Sequence, residues 1–331
     1  MCSKFFDAYI NAYKKRYSKM KELPVDFFSF TEIGGVGEMI YTAVRFPEYV
    51  VETDEDGNEV VVPLFSGMQP PVAGNDYSLT GQDLLAGLCN LYQKINNPES
   101  TLHIAEAVRG WCRDNVYPFD NDELTELLES DRYAYIKMWD IIKNDATFRL
   151  DYFLKQLCDL GSVFEFNYAL KQAKFGNNAE YARALYYEGR LCDGLPFLEK
   201  YRNIKDDTEY LEAIKKDYNK LMFNLIDMFP DFKMRLKINK RTHKIEYGAD
   251  IHSVFDIAWY AFARMIADVA PPADTDPDEM FSQGSILTCM ACGEYFVRHG
   301  SRQKYCMRWE CQAERNRRNR RASYARSKSQ K

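Results

Sequence analysis

No stretch of this 331-residue chain is apolar for the about 20 residues that a membrane-spanning helix needs. The greasiest run, Val254 to Ala270, is interrupted by Asp256, Arg264 and Asp268. The opening segment MCSKFFDAYINAYKKRYSK has no apolar core of the kind a secretory signal carries. Both absences predict a cytoplasmic protein with no membrane partner. Histidine is scarce: His103, His243, His252 and His299 are far apart and have no evident nucleophile beside them. Gly34-Gly35-Val36-Gly37 lacks the Gly-Lys-Ser/Thr of a phosphate loop, and the third glycine of a dinucleotide fingerprint would fall on Ile40. It reads instead as a tight turn before a helix. Carboxylate clusters at Asp120 to Glu123 and Asp206 to Glu209 sit at expected helix starts, where acidic side chains satisfy backbone donors. No repeat of 20 to 50 residues is evident, which excludes a solenoid. No active site emerges, and the chain does not read as an enzyme.

The composition is that of a globular protein, with 46% hydrophobic and 28% charged residues, and the length suits roughly two domains of about 150 residues each. Nine cysteines divide unequally. Cys2, Cys89, Cys112, Cys158 and Cys192 are scattered, as reduced cytosolic thiols in helix interiors are, whereas four crowd between 289 and 311. Charge is divided as well. From Ile286 onward there are 12 basic and 3 acidic residues, a net of +9, against 32 basic and 46 acidic before it, a net of −14. A basic end on an acidic body points to a polyanion as partner.

Periodicity predicts a mainly α fold: a multi-helical body over 1–270 with two short β-hairpins, then a small treble-clef-like finger and a basic helical tail. Helices are expected at 4–20, 80–95, 99–115, 121–143, 145–173 with a break at Gly161, 178–192, 207–229 and 253–269. Valines on both sides of Asp54-Glu55-Asp56-Gly57-Asn58 predict a hairpin over 49–62, and alternation from Phe232 to Ile238 with Ile245 predicts a second. Residues 271–285, PPADTDPDEMFSQGS, have the composition of a solvated linker. Across it, the acidic body and basic tail are expected to attract, with the body competing for the arginines.

The module over 286–331 is defined by Cys289, Cys292, Cys306 and Cys311, spaced C-x2-C-x13-C-x4-C. A C-x2-C turn places two sulfurs on one side of a tetrahedron, and zinc favours four such ligands. Gly293 supplies the backbone freedom the turn requires. Residues 294–297 and 303–305 are expected to pair around His299-Gly300-Ser301 and return Cys306 to the first two ligands. Cys311 opens a helix whose positive end favours a thiolate. A segment this small has little core of its own, and one structural Zn2+ supplies about 10 to 16 kcal/mol of apparent folding energy. Four thiolates close the coordination sphere, which excludes catalytic zinc, and His299 reads as a turn residue.

The chain ends QAERNRRNRRASYARSKSQK. Its arginines lie on several sides of the helix, and like charges three and four apart repel, so the helix is expected to fray until phosphates neutralise it. The nucleic-acid-binding set predicted here is Arg298, Arg302, Lys304, Arg308, Arg315, Arg317, Arg318, Arg320, Arg321 and Arg326.

Cys289, Cys292-Gly293, Phe296, Tyr305-Cys306 and Cys311 with its following arginines resemble the CGNR-type zinc fingers that end many bacterial proteins of proposed transcriptional role. The family's Cys-Gly-Asn-Arg is Cys311-Gln312-Ala313-Glu314 here, with Asn316-Arg317 displaced. The resemblance covers about the last 40 residues and implies nucleic-acid binding by the finger, below a sensory or partner-binding body. The expectation is a DNA-binding regulator, with DNA favoured over RNA and a protein or small molecule received by the body. The alternatives are a protein-interaction or assembly factor whose finger is structural or docks a protein, and a nucleic-acid enzyme whose catalytic groups lie in the body.

Overall fold

The computed structural model describes residues 26–31, 38–43, 48–64, 81–119, 147–176, 179, 200–238, 245–249, 251–268, 285–300 and 302–329. The expected helices at 4–20, 121–143 and 178–192, and nearly all of the linker, lie outside these residues. Within them the fold is mostly helical, with small antiparallel sheets. No described helix is long and apolar enough to cross a membrane.

The first described element is the hairpin of β1 (Asp26–Thr31) and β2 (Glu38–Ala43), paired from Thr31 with Glu38 outward. The strand β2 corrects the expectation of a helix after Gly34–Gly37, residues that themselves lie outside those described. Hairpin β3 (Glu48–Thr53) and β4 (Glu59–Leu64) forms where expected. Its turn is closed by Asp54, whose Oδ1 accepts the backbone N–H groups of Asp56 (3.0 Å) and Asn58 (2.7 Å). Gly57 supplies the positive φ of 84°.

Helix α1 (Gly81–Asn96) buries Leu84, Leu85, Leu88, Cys89, Leu91, Tyr92 and Ile95, one broad face with the spacing read from the sequence. Helix α2 (Ile104–Asp114) starts later than expected, because Asn97 and Pro98 form a turn in which Asn97 Oδ1 accepts from the Glu99 N–H. A two-residue strand β5 (Phe148–Arg149) pairs with β4 and leads directly into α3 (Leu150–Lys174). The expected break at Gly161 does not occur. Glycine is required there for a different reason: a Cβ would lie 2.2 Å from Cγ of Tyr92 on α1, so the two helices approach to the backbone.

Helix α4 (Asp207–Ile226) is capped by Asp206, which accepts from the Glu209 N–H at 2.9 Å. It ends three residues earlier than the apolar pattern suggests, in a turn through Met228 and Phe229 ahead of Pro230. Strands β6 (Met234–Ile238) and β7 (Ile245–Ala249) make the second expected hairpin. Helix α5 (Val254–Asp268) starts at a Ser253–Asp256 box, with Ser253 Oγ accepting from the Asp256 N–H at 3.1 Å.

The body core is aromatic. Phe148, Phe153, Phe255 and Phe119 join α3, α5 and the β3–β4–β5 sheet, and Phe164, Phe262 and Phe229 continue it. Cys89 and Cys112 are buried free thiols, as expected. Cys158 is not free: it is disulfide-bonded.

Three further elements complete the chain: β8 (Ile286–Thr288), β9 (Tyr295–Val297) and α6 (Trp309–Ser329). Ile286, Tyr295 and Val297 belong to the same hydrophobic core as the body helices, and β9 packs on α1.

Candidate metal centre

Strand β9 pairs with β8, from Ile286 with Val297 to Thr288 with Tyr295, and not with 303–305 as the sequence suggested. The cysteine knuckle is therefore the turn of this hairpin. The Cys289 N–H donates to Glu294 O (2.8 Å) and the Gly293 N–H to Cys289 O (2.9 Å), with Gly293 at φ +76°. Residues 303–305 cannot join the sheet because they run under the knuckle instead, where Lys304 O accepts from the Met290 N–H at 3.1 Å. That path delivers Cys306, whose N–H donates to Cys289 Sγ at 3.3 Å. The fourth cysteine, Cys311, sits in the first turn of α6.

The sulfurs of Cys289, Cys292, Cys306 and Cys311 all lie within 4.8 Å of one another, and those of Cys292 and Cys306 are 4.0 Å apart. A tetrahedral ion with metal–sulfur bonds of about 2.3 Å places its ligands about 3.8 Å apart, so the cluster can hold one metal ion. Cys289, Cys306 and Cys311 are buried and Cys292 is exposed. Phe296, Leu287 and Tyr305 form the apolar wall around them. Burial pushes the Cys289 thiol up, but N–H groups from Cys306, Cys292 and Ala291 together bring it down to about 6. His299 is outside the cluster, its N–H bonded to Gln303 Oε1 at 2.8 Å.

Several residues that hold this site carry no local sequence signal. Arg308 Nη2 donates to Cys292 Sγ (2.7 Å) and also pairs with Glu294 (2.7 Å), which in turn pairs with Lys94 of α1 (3.1 Å). Burial raises the Glu294 carboxyl, yet Lys94 and Arg308 prevail and hold it below the usual range. Asn90, one turn earlier on α1, presents its amide to β9 as a strand would: Nδ2 donates to Tyr295 O (2.9 Å) and Oδ1 accepts from the Tyr295 N–H (2.6 Å). Tyr168 Oη of α3 accepts from the Thr288 hydroxyl at 2.9 Å. The Tyr295 ring packs edge-on against Phe164 (5.0 Å) and Tyr168 (5.4 Å).

The basic residues fall into three groups. Arg298 is buried at 5% exposure, its Nε donating to Gly300 O at 2.9 Å. Arg308 is committed to Cys292 and Glu294. Arg302 and Lys304 are exposed, and so is every residue from Arg315 to Lys328. Arg317 and Arg318 share Glu314 (2.9 Å each), and Arg315 bonds Gln312 (3.1 Å). The expected fraying of the tail is not seen: α6 is continuous to Ser329. These short-range pairs and the high helix propensity of Arg, Ala, Glu and Gln account for it.

Comparison with protein-family models, with curated proteins and with solved structures returns no match. The resemblance to CGNR-type fingers therefore stands on the motif residues alone.

Proposed function

We propose that the protein is a nucleic-acid-binding regulator whose Cys289, Cys292, Cys306 and Cys311 hold one structural zinc ion in a treble-clef-like, CGNR-related finger, and that the finger presents α6 to DNA. The all-sulfur, closed donor set favours zinc over harder ions. The observation that carries nucleic-acid binding is α6 itself. Every residue from Arg315 to Lys328 is exposed, and the helix bears arginines around most of its circumference. Its like charges three and four apart repel, and neutralisation by phosphates relieves that repulsion. The phosphate-contacting residues are Arg302, Lys304, Arg315, Arg317, Arg318, Arg320, Arg321 and Arg326. The helical body receives a protein or small-molecule signal, and the protein works in the cytoplasm.

A titration of the full chain with duplex DNA across a salt series tests this reading. If about five phosphates are contacted, log affinity falls against log salt with a slope of about −4 to −5. Replacing Arg317, Arg318, Arg320 and Arg321 with alanine flattens the slope. Affinity independent of salt contradicts the proposal. One observation favours a second reading, a finger that docks a protein: Met290, Met307 and Trp309, near the cysteines, are 53%, 73% and 76% exposed. Salt-insensitive capture of a partner, lost on Trp309→Ala, would support that reading instead.

A further inference from the structure

The circumference of α6 is not uniformly basic. Asn316, Asn319, Ser323 and Ser327 follow one another at spacings of three and four, which places them on one side of a 3.6-residue helix. Arg315 and Arg326 border this side on one edge and Arg320 on the other. Gln312 begins the same line but is committed inward, its Nε2 donating to Cys306 O at 2.7 Å. It ties the helix start to the metal site. Asn316 and Asn319 lie just beyond that anchor, exposed, and make no side-chain hydrogen bond among the described residues.

A line of amides flanked on both edges by arginines matches what a groove of duplex DNA offers: base edges along its floor and phosphates along both walls. Asparagine is suited to the floor, because its amide can donate to and accept from adenine at once. The choice of duplex follows from dimensions. A helix with its side chains is about 10 to 12 Å across, the B-form major groove is about 12 Å wide, and the major groove of A-form RNA is too deep and narrow to be read. With 21 residues at about 1.5 Å each, α6 is about 31 Å long, close to one turn of duplex. The seat for such a helix is rigid, since its first turn holds Cys311.

We infer that α6 is a reading helix for the major groove of duplex DNA, with Asn316 and Asn319 contacting adenine-containing base pairs and the bordering arginines holding the phosphates on either side. This rests on the nucleic-acid-binding function proposed above and adds what that function does not specify: a duplex ligand, a groove, and the residues that set sequence preference. The two asparagines, three residues and about 4.5 Å apart along the axis, read neighbouring base pairs. Asn316, nearer the metal site, is the better fixed of the two.

The test is selection of a preferred sequence from a random duplex DNA library by the full-length protein. Affinities then follow for that duplex, a scrambled duplex of equal composition, the same sequence as duplex RNA, and one DNA strand. Asn316→Ala and Asn319→Ala should each cut the preference for selected over scrambled duplex by about tenfold or more. Metal content, scrambled-duplex affinity and its salt slope should stay unchanged. Selection of no sequence, an unaltered preference in both variants, or RNA bound as tightly as DNA would overturn the inference while leaving phosphate binding intact. Absence of any salt-dependent binding would overturn both.

Discussion

Single residues carry more of this structure than their chemistry announces. Gly293 and the four cysteines were legible in the sequence because spacing alone fixes what such residues can do. Gly161 was not, since the requirement for it lies in the Tyr92 ring, 69 positions away in the chain. Gly161→Ala should gain about 1 kcal/mol of helix propensity and lose more to overpacking, which typically costs about 1 to 3 kcal/mol. A lower urea midpoint is the expected outcome, and an unchanged or higher one would contradict the packing described. Glu165, on the same helix, is pushed up to about 7 by burial, with a hydrogen bond to Gln93 opposing. Its unfolded value is near 4.3, so the folded value is the higher one. The stability it contributes is therefore complete below about pH 4 and is lost as pH rises through 7. Glu165→Gln should leave a gap to wild type that widens in the variant's favour by roughly 3 to 4 kcal/mol between pH 4 and pH 8, at 1.4 kcal/mol per pKa unit. Denaturant midpoints at the two pH values measure this, and a pH-independent gap would refute it.

At the scale of elements, periodicity located the described long helices and hairpins β3–β4 and β6–β7. It failed where an element is short or where its partner is distant. Hairpin β1–β2 was missed because Phe27-Phe28-Ser29-Phe30 does not alternate, and β5 because two residues carry no period. The pairing within the finger was misjudged for a physical reason: β9 could pair with either flank of the knuckle, and the choice of β8 is set by the body. Asn90 stands in for a missing strand neighbour of Tyr295, an interaction across 205 residues. Asn90→Ala leaves the Tyr295 N–H and C=O without that partner, at roughly 1 to 3 kcal/mol for each group left unsatisfied. Hydrogen exchange over 286–300 should accelerate while the metal stays bound. Unchanged protection would show that the apolar contacts of Tyr295 suffice.

For the molecule as a whole, the charge division follows from the residues themselves, while the linker on which the tether argument depends lies almost wholly outside the described residues. Strands β8–β9 are seated in the body core, through Asn90, Tyr168 and the Lys94–Glu294–Arg308 chain. The contacts of α1 with the finger come from Asn90 and Lys94, and under the proposed function these are the residues through which a signal in the body would reach it. The candidate site was half legible: ligands, knuckle and helix could be read, while the docking residues could not, because nothing local marks an asparagine or a lysine as the neighbour of a segment some 200 positions away. Everything proposed for α6 depends on its first turn being fixed by a metal. Native mass spectrometry with elemental analysis of the full chain is the most direct test. One zinc ion per chain is the predicted result, absent from Cys306→Ser, with residues 302–329 losing protection from protease in that variant while the body keeps its fold. Equal metal content in wild type and variant, or none in either, would contradict the account.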